Sequence, residues 1–186
     1  MDVVFLKKNA YEVEKNIERL LRWSSTGFLT LNVFKEIQRK LKMKNFQIFS
    51  PYPEAEKVIL YGDKGMPKLC LWRVECYEKE KSQISHSAIL GSLLGMNITN
   101  EMFGDIVFYE GNFYIYFLEE ICDLVVQHFD MVGRIAIQLV EVNIDFLKNY
   151  QRKYEEYKLI VTSMRIGTVI SRLVGCNRGS VQKLIQ

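Results

Sequence analysis

The chain has 186 residues, enough for one large domain or two to three small ones. Hydrophobic residues make up 48% and charged residues 25%, the balance of a globular protein, which excludes a disordered chain. The net charge of +3 hides an uneven distribution: residues 1–50 carry +5, residues 51–151 carry −7 and residues 152–186 carry +5.

The longest unbroken apolar run, residues 113–118, is far short of the roughly 18 residues of a membrane helix, so no membrane partner is expected. Residues 1–6 have neither a basic leader nor a small-residue cleavage site, so no signal peptide is expected and the cytoplasm is the default compartment. Cys70, Cys76, Cys122 and Cys176 form no CxxC pair, and the chain has 2 histidines. Four reduced cysteines packed as small hydrophobes are expected, with no metal and no cofactor.

In chain order, Ala10, Val13, Ile17, Leu20 and Leu21 repeat at helical spacing over residues 9–22. Ser24-Ser25-Thr26-Gly27 breaks the pattern. A second helix fits residues 31–43, with Val33, Phe34, Ile37 and Leu41 on one face and Thr30 as its N-cap. Its outer face carries Lys35, Arg39, Lys40, Lys42 and Lys44, read either as a solvated face or as a phosphate-facing patch. After Pro51 and Pro53, residues 57–61 read as a strand and residues 62–65 as a turn.

From residue 71 the order of elements is informative. Residues 71–76 read as a strand, and Ser85 caps a helix with Ile89, Leu90, Leu93 and Leu94 on one face and Gly95 at its end. Strands at 105–109 and 113–117 join through a tight turn at Glu110-Gly111-Asn112. A helix over 118–129, with Ile121, Leu124, Val125 and His128 inward, ends at Gly133, and residues 134–142 form the last strand. The order β-α-β-β-α-β is that of a ferredoxin-like α-β plait, a four-stranded antiparallel sheet with two helices on one face. Residues 145–160 are polar and tyrosine-rich and read as a linker into a short strand at 158–162. The fold class is therefore α+β. Expected are an N-terminal domain over 1–70, the plait over 71–145, a linker over 146–163 and a final basic helical segment over 164–186.

No nucleophile elbow, phosphate loop or dinucleotide fingerprint is present, and no enzyme is expected. The one set suggesting acid–base chemistry is His86, Asp105 and Glu120, on which an RNA-modifying activity could rest. On the second hairpin strand, Tyr114 and Tyr116 share one face and Phe113, Ile115 and Phe117 the other. RNA-recognition motifs stack bases on such a strand, but the acidic surroundings and Glu110 favour core packing or a covered face instead. The basic tail is the best lead. Arg165 and Arg172 flank one short helix, and Asn177, Arg178, Ser180 and Lys183 belong to a second, a pattern suited to phosphates.

Arg165-Ile166-Gly167, Asn177-Arg178 and Leu184-Ile185 resemble, at matching spacing, the opening of the RNA-binding domain first seen in ribosomal protein S-four. Departures are Gly167 for an Asp, Asn177 for a Ser and Val181 for an Ala. The run from Ser85 to Gly95, Phe103-Gly104-Asp105-Ile106, Tyr52-Pro53-Glu54-Ala55-Glu56 and Val132-Gly133-Arg134-Ile135 resemble YlmH-type bacterial proteins, which are associated with cell-division gene clusters. The resemblance implies an N-terminal α/β domain, a plait and an S-four-like domain. It also implies non-catalytic binding of ribosomal RNA or tRNA on the ribosome, linked to quality control of stalled large subunits. Because the family's last domain continues past its second helix, a chain stopping at Gln186 is expected to be truncated. The rival reading is a protein-interaction adaptor with cell-division partners, working through the acidic plait and exposed Tyr114 and Tyr116.

Overall fold

The computed structural model describes residues 3–41, 46–152, 154, 158–175 and 181, with side chains described from residue 10 onward. The chain divides into two compact units, Met1–Gln151 and Arg152–Gln186.

The first unit opens with α1 (Val3–Trp23) and α2 (Leu31–Leu41). Val13, Ile17 and Leu20 of α1 and Val33 and Ile37 of α2 pack on Val58 and Leu60. Asn16 lies within that stripe because its side-chain amide donates to the Glu12 carbonyl at 2.9 Å. Ala10 and Leu21, expected in the stripe, are exposed, since the buried strip is only wide enough for the i, i+4, i+7 positions. The helices cover a small antiparallel sheet of order β1-β3-β2, with β1 Leu29–Thr30, β2 Gln47–Phe49 and β3 Lys57–Tyr61. Only β3 was legible from the sequence. The other two are short strands at the sheet's edges, without an alternating pattern of their own.

The α-β plait is present. Strands β4 (Leu69–Glu75), β5 (Phe103–Tyr109), β6 (Asn112–Leu118) and β9 (Gln138–Val142) form one sheet in the order β5-β6-β4-β9, antiparallel throughout. Counting only these four in chain order gives 2-3-1-4, the order a split βαβ produces. Helix α3 (His86–Gly95) starts where Ser85 accepts a hydrogen bond from the Ala88 N–H. The β5–β6 turn places Glu110 at φ +47° and Gly111 at φ +78°, the two left-handed positions of a type I′ hairpin.

Two expected elements are corrected. The helix begun at 118 is delayed, because Leu118 still pairs with Leu69 in the sheet. A 3₁₀ turn over Glu119–Ile121 precedes α4 (Cys122–His128). Ile121, Val125 and Phe129 are buried at i, i+4, i+8, while Leu124 and His128, expected inward, face out. The strand expected at 134–142 is interrupted: β7 (Met131–Val132) and β8 (Ile135–Ala136) make a miniature hairpin, with Gly133 left-handed at φ +63°, before β9 begins.

Ile84, Ile89, Leu93, Phe103, Ile115, Phe117, Val125 and Phe129 form the core between sheet and helices. Cys70 and Cys122 pack against this core and are joined as a disulfide, which corrects the expectation of four reduced cysteines. Their 52-residue separation is closed by the topology that lays the start of α4 beside β4, which no local spacing reveals. Cys76 keeps its thiol, and Cys176 lies outside the described residues.

Candidate nucleic-acid interface

In the second unit the clearest element is α5 (Ile166–Val174). Arg165 is its N-cap residue with extended backbone, and its own N–H donates to the Ser163 hydroxyl at 3.3 Å. Gly175 closes the helix in the left-handed conformation at φ +67°, its N–H donating to the Ser171 carbonyl. Seven residues separate Arg165 from Arg172, close to two full turns, so both cations lie along one side of the helix. Both are exposed. Thr168, Ser171, Arg172 and Gly175 share a cleft of about 650 Å³ with the 160–162 segment, in which Thr162 adds a further hydroxyl. Cations beside hydroxyl donors are the groups that hold phosphate oxygens. The short strand expected at 158–162 is not formed, as the segment finds no ladder partner among the described residues. Asn177, Arg178, Ser180 and Lys183 lie outside the described residues.

The second predicted cluster is weaker as an anion site. Arg39 is paired with Glu36 at 2.6 Å and Lys40 reaches Glu14 at 4.0 Å, both across exposed helix surface. Such pairs contribute little stability but lower the local positive potential. Lys42 and Lys44 lie outside the described residues.

The helix-free face of the plait is covered. Tyr114 and Tyr116 do share that face, as alternation requires, but they are only 2% and 1% exposed. Phe28, Tyr52 and Ala55, from the segments flanking the N-terminal strands, and Ile59 of β3 cover them. Residues 143–150, at the start of the expected linker, complete the lid: Leu147 is buried, Phe146 stacks on Tyr114 with ring centroids 5.1 Å apart, and the Ile144 carbonyl accepts from the Tyr116 hydroxyl at 3.0 Å. Desolvation raises the Tyr116 phenol well above its ordinary value, so it stays a donor. The exposed tyrosines on which the adaptor reading leaned are absent.

His86, Asp105 and Glu120 have separate surroundings. His86 is exposed in the first turn of α3, and Glu120 pairs with Arg19 at 2.7 Å. Asp105 is buried and accepts from the Tyr52 hydroxyl and, at 2.8 Å, from the Glu56 N–H. The segments Tyr52–Glu56 and Phe103–Ile106, noticed separately in the sequence, thus meet in one joint between the N-terminal sheet and the plait. Lys57 strengthens it. Its ammonium donates to the carbonyls of Asn100 at 3.0 Å and Phe103 at 2.9 Å, and lies 4.1 Å from the Phe103 ring centroid. Burial pushes the Lys57 amine down to about 8, opposed by the carboxylates of Asp105, Glu12 and Glu56. Lys15 adds an ion pair to Glu101, whose carbonyl accepts from the Phe28 N–H at 2.8 Å. Sequence reasoning took Asp105 for a catalytic candidate because a lone carboxylate in a strand has no local signature of its partner. Among the described residues no group of three or more His, Cys, Asp or Glu side chains is placed to hold a metal ion.

The fold and surface therefore define an α+β protein with a plait closed on both faces and a basic helical unit after it. Residues 68–145 match the family described as "Putative RNA-binding domain in YlmH". The chain is 24% identical over 137 residues to "Ribosome-associated protein quality control protein P2" of Bacillus subtilis, an alignment covering 72% of this chain and 53% of that protein. The chain thus spans about half the length of the curated relative it matches. A solved structure, "Cell division protein ylmH from Streptococcus pneumoniae", superposes with a TM-score of 0.55 at 20% identity, covering 80% of this chain and 98% of that one. Residues 68–145 thus resemble a YlmH domain, and the motifs noted at residues 85–95 and 103–106 lie inside that matched stretch.

Proposed function

We propose that this chain is a non-catalytic RNA-binding protein of the cytoplasm that works on the ribosome, through large-subunit RNA or tRNA, in quality control of stalled translation. The observation that carries the reading is α5, which holds Arg165 and Arg172 exposed on one side, the latter in a hydroxyl-lined cleft. The match of residues 68–145 to a putative RNA-binding domain and the likeness to a ribosome-associated protein support it. In this reading the closed sheet face of the first unit leaves base stacking to other surfaces. The −7 charge of residues 51–151 favours the same division of labour. Crosslinking the full-length protein to RNA in growing cells and sequencing the RNA tests the proposal. Enrichment of ribosomal RNA or tRNA is expected, and recovery of no RNA above background refutes it. Recovery of division proteins without RNA would establish the adaptor reading instead.

A further inference from the structure

The closed sheet face raises the question of where the first unit itself could touch RNA. The C-terminal end of α1 offers one place. Trp23 is 61% exposed, although tryptophan is usually among the more buried side chains. The Arg22 guanidinium lies 5.2 Å from the centroid of its ring. Trp23, Arg19, Ser25, Pro67 and Glu120 line an open cleft of about 380 Å³, large enough for one nucleotide. Within it Arg19 donates to Glu120 Oε1 at 2.7 Å, and the Glu120 side chain is half exposed. Glu119, the next carboxylate along, is 3.4 Å from Lys68.

These groups match one base better than the others. An indole face open to solvent stacks any base, and a neighbouring guanidinium strengthens the stack. A carboxylate selects among bases, because it can only accept. Guanine alone presents two adjacent donors, N1–H and the N2 amino group, on its Watson–Crick edge, and its O6 beside them accepts from an arginine. An unstacked base is read on that edge in single-stranded RNA. We infer that the cleft between α1 and the 3₁₀ turn that precedes α4 binds a single unpaired guanine of RNA. The base would stack on Trp23, with Glu120 accepting from N1–H and N2–H and Arg19 donating to O6. The inference rests on the RNA-binding reading above and adds to it a base identity and a contact in the first unit.

The test uses the full chain with Trp72→Phe, so that indole emission reports Trp23, titrated with the RNA pentamers UUGUU, UUAUU and UUUUU. UUGUU is expected to quench the emission and to bind about tenfold tighter than UUAUU. In that background Glu120→Gln should abolish the preference for UUGUU while leaving the melting temperature in place. Trp23→Ala should weaken UUGUU about tenfold, read by filter binding. Equal quenching by all three pentamers overturns the guanine assignment. Unquenched emission, in a protein that still retains ribosomal RNA on a filter, overturns the cleft and spares the RNA-binding reading. Failure to retain any RNA overturns both.

Discussion

Asp105→Asn separates an architectural role for this carboxylate from a chemical one. The native side chain is buried and receives two donors, the Tyr52 hydroxyl and the Glu56 N–H, while its charge faces the buried Lys57 ammonium. Asparagine keeps one acceptor oxygen but no charge, so two charge-assisted bonds become neutral ones at about 1 kcal/mol each. Lys57 also loses an opposing charge, bringing the total to roughly 2–4 kcal/mol. For a unit of this size the melting temperature should fall by roughly 4–16 °C. Tyr52→Phe should cost less, about 1–2 kcal/mol, since Asp105 retains its backbone donor. The double variant should be less destabilised than the sum of the two, because they share a bond. Thermal and urea unfolding of the full chain measure all three. RNA affinity at a temperature where each variant is folded should match wild type. An Asp105→Asn protein melting within about 1 °C of wild type would refute the joint. Lost RNA function at unchanged stability would return Asp105 to the list of chemical groups.

Lys57 gives a pH signature. Its native pKa near 8 lies below the ordinary 10.5, so the unfolded chain holds a proton that the native state has released between those values. Wild type should therefore gain stability over Lys57→Met as the pH rises from about 8 to about 10, by on the order of 2 kcal/mol. A flat difference in urea midpoints across that range would contradict the burial of the charge. A methyl group at Gly27 would run into the Glu101 carbonyl, so Gly27→Ala should cost about 1–3 kcal/mol. Gly91→Ala, in open space on α3, should instead stabilise by about 0.5–1 kcal/mol, and urea unfolding distinguishes the pair. Tyr116→Phe removes the bond to the Ile144 carbonyl and should cost about 1 kcal/mol with RNA affinity unchanged. Weaker RNA binding in that variant would mean that the covered face opens.

The plait was legible because its signals are local: alternation in Phe113-Tyr114-Ile115-Tyr116-Phe117, the Ser85 cap and the Glu110-Gly111 turn. Local signals also misplaced its details. Apolar periodicity turned Leu124 and His128 inward, whereas both face out, and the pairing of Leu118 with Leu69 delays the start of α4. The alternation placed Tyr114 and Tyr116 on one face, but what covers that face comes from residues up to 88 positions away, from Phe28 to Leu147. Long-range chemistry was the least readable. Nothing in the spacing of Cys70 and Cys122 marks them as partners, and nothing in Asp105 points to Tyr52. Of the predicted RNA contacts, Arg165 and Arg172 fall on one exposed side of α5, whereas Arg39 and Lys40 face carboxylates four or fewer ångströms away. Trp23 drew no attention because an aromatic at the end of an amphipathic helix normally joins the core.

The central claim is that the basic second unit carries the RNA contact through α5. Sedimentation of the full chain with purified large ribosomal subunits, over a range of salt concentrations, tests it most directly. Wild type should co-sediment with a steep loss of affinity as salt rises, because each neutralised phosphate releases counterions. Replacing both Arg165 and Arg172 with Ala should weaken binding at least about tenfold and reduce the log–log salt slope by about two. A double variant with wild-type affinity and slope, or a wild-type chain that stays in the supernatant at low salt, would contradict the account.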